Sequence, residues 1–205
     1  MWGYNTINGA QQAPYPATAL GMNCTTNGTI ENNLVEMYTE TGGNGFEAPI
    51  MSPENNASLC AWPTANIIFR NNTVHMPSGG VGIISSLNGY GTGAIVENNA
   101  VWTTSDNSCF SVNAGTATGH PFTETRYPST SINTAGNYCV NDGSPATVLW
   151  VDPANHNYRP VSDGPLIGTG NASYFAPVGL DSILWSPSDP GVSRVAPIDI
   201  GAVVH

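Results

Sequence analysis

The chain has 205 residues, 40% of them apolar and only 9% charged, with 23 glycines and 16 prolines. That is enough apolar side chain for a packed domain, in a background too rich in turn residues for a helical one. Its four basic residues are all arginine (Arg70, Arg126, Arg159, Arg194) against 14 acidic ones, a net charge of −10; duplex DNA and anionic membranes are excluded as partners, because neutralising phosphates takes a cationic patch.

The N-terminal Met1, Trp2, Gly3, Tyr4, Asn5 carries neither a charged nor an apolar leader, which predicts a mature or trimmed chain. Residues 1–27 read as a partial coil, a loop or the remnant of a longer stack. No segment approaches the ~20 apolar residues of a membrane span. Cys24, Cys60, Cys109 and Cys139 include no C-x-x-C pair, which argues against zinc. An even number in a lysine-free chain predicts a secreted protein with two disulfides, in one of three connectivities; four buried thiols are the alternative. Sequons stand at Asn23, Asn27, Asn56, Asn71 and Asn171.

One motif then returns four times. Residues 30–37 read IENNLVEM, 69–76 FRNNTVHM, 96–103 VENNAVWT and, more weakly, 135–142 AGNYCVND. Anchored on Asn32, Asn71, Asn98 and Asn137, the steps are 39, 27 and 39 residues. A step of 27 suits one coil of three short strands, and a step of 39 the same coil with a loop inserted. Twelve residues beyond the anchor come Ile83, Phe110 and Leu149, with Phe46 taking that place in the first copy. Each residue of such a coil stacks on its counterpart ~4.8 Å away. Ile30, Phe69 and Val96 form one interior stack on this reading, and Val35, Val74, Val101 and Val140 another. The paired asparagines sit at the bend, where stacked amides satisfy backbone groups that no sheet ladder reaches. A β-sandwich, with the Asn pairs as plain turns, is the competing reading.

The stacked xNNxV coils resemble the pectate-lyase-like family of right-handed parallel β-helix proteins. The tail adds to the resemblance. Residues 157–170, NYRPVSDGPLIGTG, are similar to the DYRLQPGSPAIDAG segment that closes many members, and Asp199, Ile200, Gly201 and Ala202 to their DIGA strand. The departures are Pro160, Gly168 and Val203. The resemblance covers residues 28–205 and implies an all-β, right-handed parallel β-helix (solenoid) of about four to five coils, at 28–151. The proline-rich residues 152–205 are expected to cap its C-terminal end, because open strand edges invite pairing with another chain. The family includes lyases, hydrolases, epimerases and proteins without assigned chemistry, so the resemblance is nearly silent on activity.

The same register aligns outward positions in two columns. Glu31, Arg70 and Glu97 form one; Glu36, His75, Trp102 and Asn141 form the other. In the first, the two carboxylates stand two steps or ~9.6 Å apart on strand spacing, the upper limit for inverting glycosidases. Arg70 is placed to neutralise a substrate carboxylate, and the resemblance suggests it as the base of a lyase. In the second, His75 is a candidate proton carrier, Trp102 a platform for a sugar ring, and Glu36 and Asn141 flanking binding residues. The competing readings are a surface charge ladder for the first column and, for the second, Trp102 packed beneath a loop with His75 as ordinary surface. Gly119 and His120 lack the aspartates of a polygalacturonase motif, and Gly79, Gly80, Val81, Gly82 lack the lysine of a phosphate loop. Calcium would rest on loop carboxylates such as Asp106 and Asp142, without a supporting motif, so no cofactor is expected. The expectation is an extracellular protein that recognises polysaccharide and cleaves it as a lyase or glycoside hydrolase. The alternative is a non-catalytic adhesive or filament-forming module that associates end to end.

Overall fold

A computed structural model of the chain describes residues 2–3, 6–11, 20–21, 27–39, 50–52, 68–77, 79, 82–85, 95–104, 109–112, 131–132, 136–172, 178–179, 192–193 and 197–203. The chain is all-β, with no α-helix among those residues. It passes through three sheets in strict rotation. Four successive rounds contain β1 (Trp2–Gly3), β2 (Thr6–Gln11) and β3 (Leu20–Gly21); β4 (Thr29–Glu31), β5 (Leu34–Thr39) and β6 (Ile50–Ser52); β7 (Ile68–Arg70), β8 (Thr73–Met76) and β9 (Ile83–Ser85); and β10 (Ile95–Glu97), β11 (Ala100–Thr103) and β12 (Phe110–Val112). After these come β13 (Ser131–Ile132), β14 (Tyr138–Val140), β15 (Trp150–Asp152), β16 (Asn157–Pro160), β17 (Val178–Gly179) and β18 (Val192–Ser193). The first sheet runs β1-β4-β7-β10, the second β13-β14-β11-β8-β5-β2 and the third β12-β9-β6-β3. Every pairing between rounds is parallel. Residues 1–27 thus contribute a full round of three strands.

The interior is apolar because each strand alternates. Ile30, Phe69 and Val96 pair in register on the first sheet, Val35, Val74 and Val101 on the second, and Ile83 and Phe110 on the third. All pack into one buried cluster with Leu20, Met76, Cys109 and Cys139. The third-sheet partner of Ile83 is Ile50, so Phe46, outside the described residues, is not its counterpart. Leu149 is buried but follows a 3-10 turn at Ala146–Val148 and joins a different cluster.

The bends between first and second sheets explain the Asn pairs. The first of each pair, Asn32, Asn71 and Asn98, holds a left-handed backbone with φ of 53°, 51° and 56°, a conformation Asn tolerates better than most side chains do. The second forms a ladder. Asn33 Nδ2 donates to Asn72 Oδ1 (3.0 Å), Asn72 Nδ2 to Asn99 Oδ1 (2.9 Å) and Asn99 Nδ2 to Asn137 Oδ1 (2.9 Å). The backbone N–H groups of Asn33, Asn72 and Asn99 donate to the same oxygens at 3.0–3.1 Å. Each Nδ2 also donates to a strand carbonyl, at Glu31, Ile30, Phe69 and Val96 in turn. All four ladder amides are buried, so these bonds replace water that cannot reach the bend.

Asn137 therefore belongs to the second position of the pair, not the first, and the last step is 38 residues. Gly136 takes the left-handed slot, with φ of 72°. A Cβ there would collide with Asn98 Oδ1 and lie 2.6 Å from the Asn171 nitrogen, which leaves glycine as the residue that fits. This one-residue shift reverses the faces of β14. Val101 pairs with Cys139, and Trp102 with Val140. Cys139 takes the interior place expected for Val140 and forms a disulfide with Cys109, Cα atoms 5.7 Å apart, tying the second sheet to the third. Cys24 and Cys60 lie outside the described residues.

Residues 152–205, expected to cap the end, lie along the side of the stack in their described part. The end edge of the second sheet carries β13, antiparallel to β14. The tail instead covers the outer face of that sheet. Leu34, Ala100 and Val140 point outward and are buried against Leu149, Trp150, Tyr158, Leu166, Ile200, Ala202 and Val203. A clamp fixes this flank at the bend: Asn171 N–H donates to Asn98 Oδ1 (2.6 Å), and Asn98 Nδ2 returns to Asn171 O (2.8 Å). A strap at residues 197–203 follows. Asn71 Nδ2 donates to Asp199 O (3.2 Å), Gly201 N to Asn98 O (2.8 Å) and Ala202 N to Thr73 Oγ1 (3.0 Å).

Candidate functional site

The two outward columns stand on either side of the asparagine bend, and the fold treats them differently. In the second, Glu36 pairs in register with His75, and His75 with Trp102. Val140, not Asn141, follows Trp102, so Asn141 leaves the column. The column is sealed. Glu36 is 1% exposed and His75 6%, both beneath the tail. The antiparallel pair β15–β16 lies over them. Tyr158 Oη donates to Glu36 Oε1 (2.5 Å), His75 Nδ1 meets the same oxygen at 3.1 Å and Tyr158 Oη at 2.8 Å, and His156 Nδ1 meets Glu36 Oε2 at 2.6 Å. Trp102 lies half-buried beside His75, ring centroids 5.0 Å apart, and its Nε1 donates to Ser144 O (2.8 Å). Burial holds the His75 pKa below the ordinary imidazole value of 6.5, against the opposing pull of Glu36. The ring that sequence alignment offered as a sugar platform is a packing residue of the tail.

The first column keeps unused chemistry. Glu31, Arg70 and Glu97 pair in register as the repeat predicts. Arg70 Nε donates to Glu31 Oε2 at 2.7 Å, with the arginine side chain 19% exposed. Its terminal N–H groups have no hydrogen-bond partner among the described residues. Glu97, 8% exposed, has Oε2 buried with no partner. Loss of hydration pushes its pKa up to about 6. A carboxyl that keeps its proton into mildly acidic solution and a guanidinium with spare donors thus stand side by side. An acid of raised pKa is what protonation of a glycosidic oxygen requires, and a guanidinium fork suits a carboxylate or vicinal hydroxyls.

Other candidates resolve simply. No cluster of three or more His, Cys, Asp or Glu side chains arranged to hold a metal occurs among the described residues. Asp142 is exposed and accepts from Ser144 N–H (2.9 Å), which draws its pKa down; Asp106 and His120 lie outside the described residues. Of the sequons, Asn27 is exposed, Asn171 half-buried and Asn71 buried, and Asn23 and Asn56 lie outside the described residues. Among the described residues no helix is long and apolar enough to cross a membrane. Compared with models of known protein families, with characterised proteins and with solved structures, the chain matches none.

Sequence reasoning missed the roles of Tyr158, His156 and Asn171. Tyr158 sits within the NYR motif, whose recurrence in a closing segment signalled packing against the coils. Nothing local marks Glu36 as its partner 122 residues away.

Proposed function

We propose that this chain is an extracellular right-handed parallel β-helix of the pectate-lyase-like kind, which recognises polysaccharide through the outer face of its first sheet. The three-sheet rotation supports the solenoid, and the near-universal right hand of parallel crossovers supports its handedness. A disulfide suits an oxidising compartment. The observation that carries the functional reading is the Arg70–Glu97 pair, with free guanidinium donors beside a partnerless carboxyl. Arg70 binds the glycan, Glu97 gives its proton to the leaving oxygen while a water adds its oxygen to the anomeric carbon and releases a proton to solvent, and Glu31 holds Arg70 in place. With the Glu97 pKa near 6, the proton-donating form is lost as pH rises above that value.

The non-catalytic reading is favoured by one observation: the aromatic column that would have stacked on sugar is closed by the tail. The deciding experiment incubates the protein with neutral and acidic polysaccharides, with and without calcium. It follows reducing ends, unsaturated products and binding, for wild type, Arg70→Ala and Glu97→Gln. Cleavage abolished in both variants, with binding lost only in Arg70→Ala, establishes the proposed site. Well-folded protein that binds and cleaves nothing establishes the structural module.

A further inference from the structure

The Glu36 cluster joins two parts of the molecule that sequence keeps far apart. Glu36 on β5 and His75 on β8 belong to the outer face of the second sheet. Tyr158 on β16 and His156 belong to the tail. One buried carboxylate accepts Tyr158 Oη and His75 Nδ1 on one oxygen and His156 Nδ1 on the other, at 2.5, 3.1 and 2.6 Å. His156 holds a left-handed backbone, φ 59°, after the 3-10 turn Pro153–Asn155, a conformation costing a non-glycine residue ~1–2 kcal/mol. That turn brings its ring onto Glu36.

Each flanking register position is free of titratable groups: Asn8 on β2 and Trp102 on β11. From the tail, Trp150 packs edge-on against His75, centroids 5.7 Å apart. The titratable groups that meet here are Glu36, His75, His156 and Tyr158. The Asn98–Asn171 clamp and the strap on Asn71, Asn98 and Thr73 are held by amide, hydroxyl and backbone hydrogen bonds that do not titrate.

We propose that the Glu36–His75–Tyr158–His156 cluster is an acid-released latch, which frees the β15–β16 hairpin from the second sheet while the clamp and strap stay closed. Protonating Glu36 turns an acceptor into a donor facing three groups that rely on it. Protonating His75 adds an N–H at Nε2 for which no described residue supplies an acceptor. The sign follows from linkage. The closed form holds His75 below its ordinary 6.5, so it binds fewer protons than the open form. Closure is fully stabilised above pH 6.5 and loses ground as pH falls below it. Opening bares the His75 ring, on which Trp150 and Tyr158 of the hairpin pack. This inference stands independently of the polysaccharide reading.

Hydrogen exchange on the full chain at pH 7.5 and 5.0, corrected for intrinsic rates, tests it. Protection of residues 150–160 falls at the lower pH, in the direction that the lowered His75 pKa sets. Protection at residues 72–76 and 199–203 stays unchanged. His75→Gln, which cannot titrate, flattens that response, and Tyr158→Phe loosens the hairpin at both pH values. Hairpin protection independent of pH overturns the latch, and so does loss shared equally with the strap. Where a variant fails to fold, the wild-type profile decides alone.

Discussion

Glu36 and Glu97 are carboxylates on neighbouring outer faces of the same stack, both nearly closed to solvent, and their environments are opposite. Glu36 is met by Tyr158 Oη, His75 Nδ1 and His156 Nδ1, and Glu97 Oε2 by no partner. The register places both, but what lies over them decides their chemistry. A buried carboxylate with its hydrogen bonds made fastens a fold, and one left without them is a proton carrier in waiting. The contrast separates a fastening column from a reactive one.

The most severe way to break the comparison is to lose the frame that holds both columns. Cys109→Ser with Cys139→Ser opens a loop of 30 residues and is expected to cost about 3–4 kcal/mol on chain-entropy grounds, read as a lower urea midpoint. Asn72→Ala removes the acceptor of two amide donors on Asn33 and takes the Nδ2 donor from Asn99 Oδ1, which keeps the backbone N–H of residue 72. About 1–3 kcal/mol per stranded buried group applies, so chemical unfolding should show a loss on the order of 3 kcal/mol.

Smaller changes sharpen the contrast directly. Glu36→Ala leaves Tyr158, His75 and His156 without their shared acceptor and should destabilise by about 2 kcal/mol. Glu97→Gln removes a poorly solvated charge and should be neutral or mildly stabilising at pH 7.5. The two columns also titrate with opposite sign. His75, held below 6.5, withdraws stability as pH falls below that value. Glu97, raised from 4.5 to about 6, withdraws it as pH rises through that window. Thermal melts of Glu97→Gln and His75→Gln against wild type, from pH 4.5 to 8, should therefore diverge at opposite ends. The smallest effect is expected at Val151, 53% exposed; Val151→Ser should stay within ~0.5 kcal/mol.

Much of this architecture is legible in the repeat. Ile30, Phe69 and Val96 stack as their spacing predicts, and Glu31, Arg70 and Glu97 share a register. The slip at the fourth copy has a local cause. Asparagine at 137 drew the alignment, but the left-handed slot was the real anchor, and glycine fills it wherever a Cβ has no room. Aligning Gly136 with Asn98 would have put Cys139 inside and Val140 out. The burial of His75 and Trp102 was not legible, because alternation tells which way a side chain points and not what covers it. The cover comes from residues far along the chain, Tyr158 83 positions from His75 and Ser144 42 from Trp102.

The amide ladder has a sense of direction. Asn33, Asn72 and Asn99 each donate to the later round, and Asn72, Asn99 and Asn137 each accept from the earlier one. None can turn over by itself, since a reversed amide would set nitrogen against nitrogen on one side and oxygen against oxygen on the other. Orientation is thus chosen once for the entire file, giving a row of like-pointing dipoles along the stack axis, each polarising the next. Chemically identical residues thereby give the two ends of the stack unlike electrical character.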